Sequence, residues 1–250
     1  MINQENRIEN FTSSQIFRLV GTDSVRETYL KEIRAERALK RSVDLGAYSQ
    51  PMTWGKIFEA FYFIQEKYFP TGSGYSLCNK TTQVHKKYKF WAGSCDVEGR
   101  QDAGEIKCFY PEKYFLLASA LLKLLKGEMT IEQFKKDFKE VYWQVVSNGI
   151  ILNKPKCTIF AYIPTLEELR DCILLLRETN FAERLGLDPW MINFILDADD
   201  KDELYRLPYI DTEKSDFPNE VRFTFQPPAE DIILLTKTVI ESEKLLADGV

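Results

Sequence analysis

The sequence predicts a mixed α/β fold in which a small sheet lies between helices that precede and follow it along the chain. Three observations carry this prediction. Apolar residues recur at helical spacing before residue 70, alternation with a period of two begins near Tyr88, and helical spacing returns from Pro111. Since helical segments stand on both sides of the strand segments, we expect helices to flank a small, mixed central sheet.

Three helices are predicted before the first strand. A short helix begins near Ser13, which is an N-cap residue type, and a charged helix follows over 25–43. Thr53 is predicted to cap a third helix that extends to Pro70. Because aromatic residues occupy most sides of this third helix, it is expected to be largely buried.

Strands are predicted on both sides of a polar turn. Residues 91–97 and 105–110 have strand composition, and 98–104 between them are polar and rich in glycine. The simplest arrangement of the two is an antiparallel hairpin with a long loop. Residues 156–163 and 221–225 predict two further strands.

Capping-box sequences mark the start of two later helices. The S/T-x-x-E/Q spacing occurs at Thr130 and again at Thr165. The helix that begins at Thr130 is predicted to continue to Gly149, and a final helix follows Pro228.

The chain is predicted to form one domain over 1–250, because it contains no repeat and no Gly/Ser-rich linker. Within it, 179–220 is expected to be an acidic, irregular insertion with one helix near Trp190, and 221–250 a C-terminal strand and helix.

The net charge of −5 argues against a nucleic-acid partner when it is taken as a whole-chain value. Its distribution weakens that argument. Residues 1–107 contain 16 Lys/Arg and 13 Asp/Glu, whereas 197–250 contain 6 and 14. The N-terminal part is therefore mildly basic and the negative charge lies in the C-terminal fifth.

Several classes of protein are excluded by composition. The apolar runs are far shorter than the roughly 20 residues that a membrane helix needs, so no membrane association is predicted and the expected location is the cytoplasm. The five cysteines lack C-x-x-C spacing, which argues against a zinc ribbon, an iron–sulfur clamp and a disulfide framework.

Asp96, Glu105 and Lys107 form the main candidate site. Residues two apart in a strand share a face, so Glu105 and Lys107 project together, and the hairpin brings Asp96 within reach. Carboxylates suit Mg²⁺ or Mn²⁺, and a neighbouring lysine can hold or activate a water or stabilise charge on a phosphate. A solvated edge strand with a weak ion pair explains the three residues equally well when they are considered alone.

Glu59 favours the metal interpretation. It lies in the middle of the aromatic helix, where a buried acid needs a partner. A metal ion beside the sheet would supply one.

Five short motifs follow one another in a set order. They are Phe11-Thr12-Ser13-Ser14, Trp54-Gly55-x3-Glu59, Asp96, Glu105-x-Lys107 and Tyr142-Trp143-Gln144-x4-Gly149. In order and spacing, over residues 10–163, the chain resembles the phage-type exonucleases, which are lambda-exonuclease-like viral recombinases of the PD-(D/E)XK nuclease superfamily. Two features depart from that pattern: Cys95 stands where the family has proline, and 179–220 has no counterpart.

The resemblance implies a restriction-endonuclease-like core and a role for each matched residue. Asp96 and Glu105 would bind the metal, with the Ile106 backbone carbonyl as a further ligand. Lys107 would orient or activate the attacking water. Glu59 would reach the metal directly or through water.

The resemblance also places polar residues around this centre. Gln144 would lie beside the active site, and Ser13 and Ser14 would hold a DNA phosphate. Lys86 and Lys87 belong to a basic cluster that we expect to contact phosphates as well. The only histidine, His85, is interpreted as a surface residue or phosphate contact rather than a catalytic base, with a place in the metal shell as a minor alternative.

These expectations describe a Mg²⁺-dependent exodeoxyribonuclease, with Mn²⁺ as a substitute, that trims the ends of double-stranded DNA 5′ to 3′ in phage recombination. The resemblance further implies a ring-shaped homo-oligomer and a single-strand annealing protein as a partner. Two alternatives remain: a structure-specific or sequence-specific endonuclease of the same fold, and a non-catalytic DNA-binding or assembly protein.

Overall fold

The computed structural model describes residues 7–43, 49–78 and 81–247. The strands are β1 (Phe11–Thr12), β2 (Ser76–Leu77), β3 (Gln83–Val84), β4 (Trp91–Gly93), β5 (Val97–Glu98), β6 (Asp102–Lys107), β7 (Lys156–Tyr162) and β8 (Glu220–Phe225). The α-helices are α1 (Asp23–Leu39), α2 (Gln50–Ile64), α3 (Pro111–Leu125), α4 (Ile131–Asp137), α5 (Lys139–Leu152), α6 (Leu166–Glu178), α7 (Phe181–Arg184), α8 (Pro189–Asp200) and α9 (Ala229–Ala247). Ser13–Arg18 and Leu204–Arg206 are 3₁₀-helices.

The larger sheet has five strands in the order β2-β5-β6-β7-β8. β6 and β7 are parallel, from Asp102 opposite Lys156 to Lys107 opposite Ala161, and the other pairs are antiparallel. The parallel pair needs a crossover connection, which α3, α4 and α5 provide. The predicted mixed sheet with flanking helices is confirmed.

A smaller sheet of three strands, in the order β1-β4-β3, corrects one prediction. Residues 91–97 are not one strand: β4 pairs in the smaller sheet, β5 pairs in the larger one, and residues 94–96 connect them. The antiparallel hairpin is present, but its second strand spans Asp102–Lys107 rather than 105–110. Only residues 99–101 separate its two strands, so the predicted long loop is short.

The boundaries of the early helices also differ from the predictions. The first helix is a short 3₁₀-helix. Ser49 caps α2, its side chain accepting the Met52 N–H, while Thr53 lies inside the helix and is buried. α2 ends at Ile64, well before Pro70, because Gln65 adopts an extended conformation.

Both capping boxes are present, at Thr130 and Thr165. The helix predicted from Thr130 to Gly149 is instead two helices, α4 and α5, because Phe138 leaves helical geometry with φ −121° and ψ 44°. The segment 179–220 contains α7, α8 and a 3₁₀-helix, and therefore more helix than predicted.

The two faces of β7 contact two different clusters of buried side chains. Cys157, Ile159 and Ala161 face a cluster with residues of α1, α3, α5 and α9. Phe160 and Tyr162 face a cluster with residues of α2, α6 and α8. All five cysteines are free thiols, and four of them are buried. In the part of the chain that the structure describes, no helix is both long enough and apolar enough to cross a bilayer.

Candidate active site

Glu105 and Lys107 project from the same face of β6, as the strand period predicts. Lys107 Nζ lies 3.0 Å from Glu105 Oε2. Ile106 and Cys108 face the opposite way into the α2 side of the core. Glu105 has no exposed surface, so its charge depends on the protein groups around it.

Asp96 lies in the connection between β4 and β5, beside the middle of β6. Its backbone N–H donates to the Gly104 carbonyl at 3.1 Å. Its side-chain Oδ2 accepts the Ile106 N–H at 2.8 Å. Asp96, in the connection before β5, is therefore held against β6, the strand that carries Glu105.

Helix α5 covers Glu105 with two amide side chains. Gln144 Nε2 donates to Glu105 Oε2 at 2.7 Å, and Gln144 Oε1 accepts from Lys107 Nζ at 3.1 Å. Asn148, one turn further along α5, donates through Nδ2 to Glu105 Oε1 and to the Ser94 carbonyl at 3.4 Å. The structure thus places Gln144 in contact with Glu105 and Lys107.

Asn148 is a site residue that sequence reasoning missed. It is 1% exposed and holds the second oxygen of the buried carboxylate. The available signal was its spacing four residues after Gln144, which places both amides on one face of a helix.

Glu59, on α2, approaches the same centre from the other side of the sheet. Burial, and then repulsion by Asp96 and Glu105, raise its pKa well above the usual range of a glutamate. Burial and the Asp96 charge likewise raise the pKa of Glu105 to about 8. Burial also raises the pKa of Asp96.

Lys107 is the cation among these three acids. Although burial acts to lower its pKa, the charges of Glu105, Asp96 and Glu59 outweigh burial and raise the pKa. The lysine is therefore protonated at neutral pH. One ammonium therefore faces three carboxyl groups, and burial together with their mutual repulsion favours protonation of Glu59 and Glu105.

The cluster offers carboxylate and carbonyl oxygens, which are the hard ligands that Mg²⁺ takes. Within residues 7–43, 49–78 and 81–247, no group of three or more His, Cys, Asp and Glu side chains is arranged to hold a metal ion. A metal here would be bound by Asp96, Glu105 and the Ile106 carbonyl, with water completing its shell as is usual for Mg²⁺.

The predicted phosphate contacts lie outside this cluster. The Ser13 hydroxyl is buried and lies 2.8 Å from the Ser147 hydroxyl, which also accepts the Trp91 indole N–H at 2.9 Å. Ser14 is partly exposed and lies 3.4 Å from an Arg7 guanidinium nitrogen.

Lys86 and Lys87 are exposed in the turn between β3 and β4. His85 shapes this turn: its Nδ1 accepts the N–H groups of Lys87 at 3.1 Å and Tyr88 at 3.0 Å, and its ring stacks on Trp91. The assignment of Ser13, Ser14, Lys86 and Lys87 to DNA phosphates stays a prediction.

No family model matches the sequence, and no curated protein matches it. Solved structures do match. LHK-Exo, an alkaline exonuclease from Laribacter hongkongensis, aligns over 97% of this chain and 90% of its own, with 12% identity and a TM-score of 0.60. The chain has the fold of the phage-type exonucleases.

Two further structures with this phage-type exonuclease fold support the assignment. LHK-Exo in complex with dAMP aligns over 98% of this chain and 91% of its own, with 13% identity and a TM-score of 0.61. A phage-related exonuclease from Haemophilus somnus 129PT aligns over 95% and 93%, with 13% identity and a TM-score of 0.57. The resemblance inferred from the motif order is thereby confirmed at the level of fold.

Proposed function

We propose that the protein is a Mg²⁺-dependent exodeoxyribonuclease that hydrolyses phosphodiester bonds at the ends of double-stranded DNA, 5′ to 3′. The observation that carries the proposal is the buried Glu105, which is bonded to Lys107 and Gln144 and lies beside Asp96, within an exonuclease fold. A solvated edge strand does not account for a fully buried glutamate whose lysine partner is also bonded to a glutamine.

Each residue has a separate task in the proposed reaction. Asp96, Glu105 and the Ile106 carbonyl would hold Mg²⁺, with Glu59 reaching it directly or through water. Bound there, the ion would polarise the scissile phosphate and lower the pKa of a water. Lys107 would orient or activate the attacking water, or stabilise developing negative charge.

Gln144 fixes the direction in which Lys107 points. Its Oε1 accepts from the ammonium, while its Nε2 is bonded to Glu105, so the amide cannot turn without losing one of the two bonds. This arrangement holds the lysine in place before substrate arrives, and such preorganisation favours the transition state.

The biological setting follows from the resemblance alone. We propose action in phage-type recombination in the host cytoplasm, a ring-shaped homo-oligomer and a single-strand annealing protein as a partner.

Digestion of end-labelled linear duplex DNA tests the activity. We expect shortening from the 5′ ends with Mg²⁺ or Mn²⁺, none with EDTA, and no cutting of a covalently closed circle. Lys107→Ala should lower the rate by at least about 100-fold, because a positioned proton donor or charge contributes 10²–10⁴-fold. Lys123→Ala, an exposed lysine on α3, serves as the matched control and should cut like the wild type.

Intact ends after incubation with metal, or unchanged cutting by Lys107→Ala, would overturn the mechanism. Cutting of the closed circle would identify an endonuclease instead.

A further inference from the structure

Lys56 lies on the same face of α2 as Glu59. Residues 52, 56, 59 and 63 fall on one stripe of the helix by their spacing of three and four. The opposite side is buried in the core through Trp54, Ile57 and Phe58. The stripe that carries Lys56 is therefore the less buried side, and through Glu59 it borders the acid cluster.

Close packing places this part of α2 beside the end of β6. A Cβ atom on Gly55 would lie 3.9 Å from the Cys108 carbonyl oxygen and 3.7 Å from Glu59 Oε1. Cys108 directly follows Lys107. Lys56 therefore lies three residues before Glu59, on the part of α2 that packs beside the end of β6.

Within the residues that the structure describes, Lys56 has no acidic partner. Among the residues that the structure describes, the other partly buried lysines and arginines all form ion pairs with acids: Arg18, Arg26, Arg37, Lys107, Lys135, Lys154 and Arg222. Burial lowers the pKa of Lys56. A partly desolvated ammonium without an anion is unfavourable, and a bound anion would remove that penalty.

Building on the proposed function, we infer that Lys56 binds a phosphodiester group of the DNA strand next to the one held at the acid cluster. Phosphate is the anion that the proposed substrate brings to this edge of the site. Lys107 is already engaged by Glu105 and Gln144, so a neighbouring phosphate needs a different cation. Lys56 would thus position the strand without taking part in bond cleavage.

The salt dependence of DNA binding tests this inference. Binding of a dye-labelled blunt duplex is measured by fluorescence anisotropy in EDTA, over a series of salt concentrations, for the wild type, Lys56→Gln, Lys56→Arg and the control Lys123→Gln. We expect Lys56→Gln to lower the slope of log affinity against log salt by about 0.9, the value for one phosphate contact. Lys56→Arg should restore the slope, and Lys123→Gln should leave it unchanged.

The outcomes separate this inference from the proposed function. If the wild type cuts duplex ends and Lys56→Gln keeps the wild-type slope, or loses no more than Lys123→Gln, the Lys56 contact is wrong and the nuclease stands. If the wild type neither binds nor cuts duplex DNA, both are wrong. Thermal unfolding of each variant verifies that a changed slope does not come from a misfolded protein.

Discussion

At Gly93 the absence of a side chain allows the residues around the candidate site to pack closely. A Cβ atom at this position would lie 2.2 Å from both Asn148 Oδ1 and Ser13 Oγ. Such distances are far below van der Waals contact. Gly93, the last residue of β4, lies between Ser13 and the side-chain amide of Asn148 that contacts Glu105. Only glycine fits there.

Gly93→Ala is expected to destabilise the protein by about 2–3 kcal/mol, because the added methyl group overpacks a buried place and displaces Asn148. Gly55→Ala is the matched control: its Cβ meets nothing closer than 3.7 Å, and alanine in a helix is more stable than glycine by about 0.5–1 kcal/mol. Urea unfolding measures the free energy of unfolding of both variants. Equal stability of the two variants would contradict the packing argument.

Most of the site residues could be predicted from the sequence, because their chemistry is visible in local patterns. Glu105 and Lys107 follow from the strand period, and Gln144 from the motif order. Asn148 could not be predicted, because a buried asparagine is informative only when the oxygen that it contacts is known. Burial of the Ser13 hydroxyl likewise depends on Ser147, a residue distant in the chain.

At the scale of elements, Asp231 connects α9 to the body of the protein. It lies in the first turn of α9 and is 2% exposed. Its Oδ1 lies 2.9 Å from Lys135 Nζ of α4, and its Oδ2 accepts the Tyr142 hydroxyl of α5. One carboxylate therefore links three helices, two of which belong to the crossover between β6 and β7.

Asp231→Asn is expected to lower the free energy of unfolding by about 3 kcal/mol, because it leaves Lys135 without its buried partner. The adjacent Glu230→Gln removes the same charge from the same helical turn but at an exposed position, so its effect should stay within about 0.5 kcal/mol. Chemical denaturation compares the two. A similar loss in both variants would show that the helix terminus, and not the buried contacts, carries the effect.

The predicted elements failed where tertiary packing, and not local composition, determines the structure. Residues 91–97 are continuous in strand character, yet the chain leaves the smaller sheet after Gly93 and enters the larger one at Val97. The break at Phe138 occurs within an unbroken helical pattern. By contrast, both capping boxes are local signals and both predicted helix starts are confirmed.

At the scale of the whole molecule, the acid cluster makes stability depend on pH. The pKa of Glu105 is raised to about 8 in the folded state, mainly by burial and then by Asp96, whereas an unfolded glutamate titrates near about 4.3. The folded protein therefore binds more protons than the unfolded chain between these values. Without metal, its stability should fall as pH rises through this window.

Mg²⁺ should reverse this loss, because its ligands must be deprotonated. At about 100 times its Kd the ion is expected to raise Tm by roughly 5–10 °C near pH 9, and by less near pH 6. Thermal unfolding with Mg²⁺ or EDTA measures the difference. Glu105→Gln should abolish the rise in Tm with Mg²⁺. Glu112→Gln, at an exposed position on α3, should keep that rise. A rise in Tm that does not depend on pH, or that persists in Glu105→Gln, would refute the metal site.

The distances along the chain between the residues of the site predict an order of assembly during folding. Asp96 and the Ile106 N–H are 10 residues apart, so the hairpin closes a small loop. Gln144 and Asn148 are 39 and 43 residues from Glu105. They can contact Glu105 only after the crossover helix α5 has packed against β6. Because the entropic cost of closing a loop grows with its length, we expect a nascent chain to hold the two carboxylates together before it holds the amides that bury Glu105. We therefore expect the acids to meet while they are still solvated, and Glu105 to lose its contact with water only in the last stage of folding of this region.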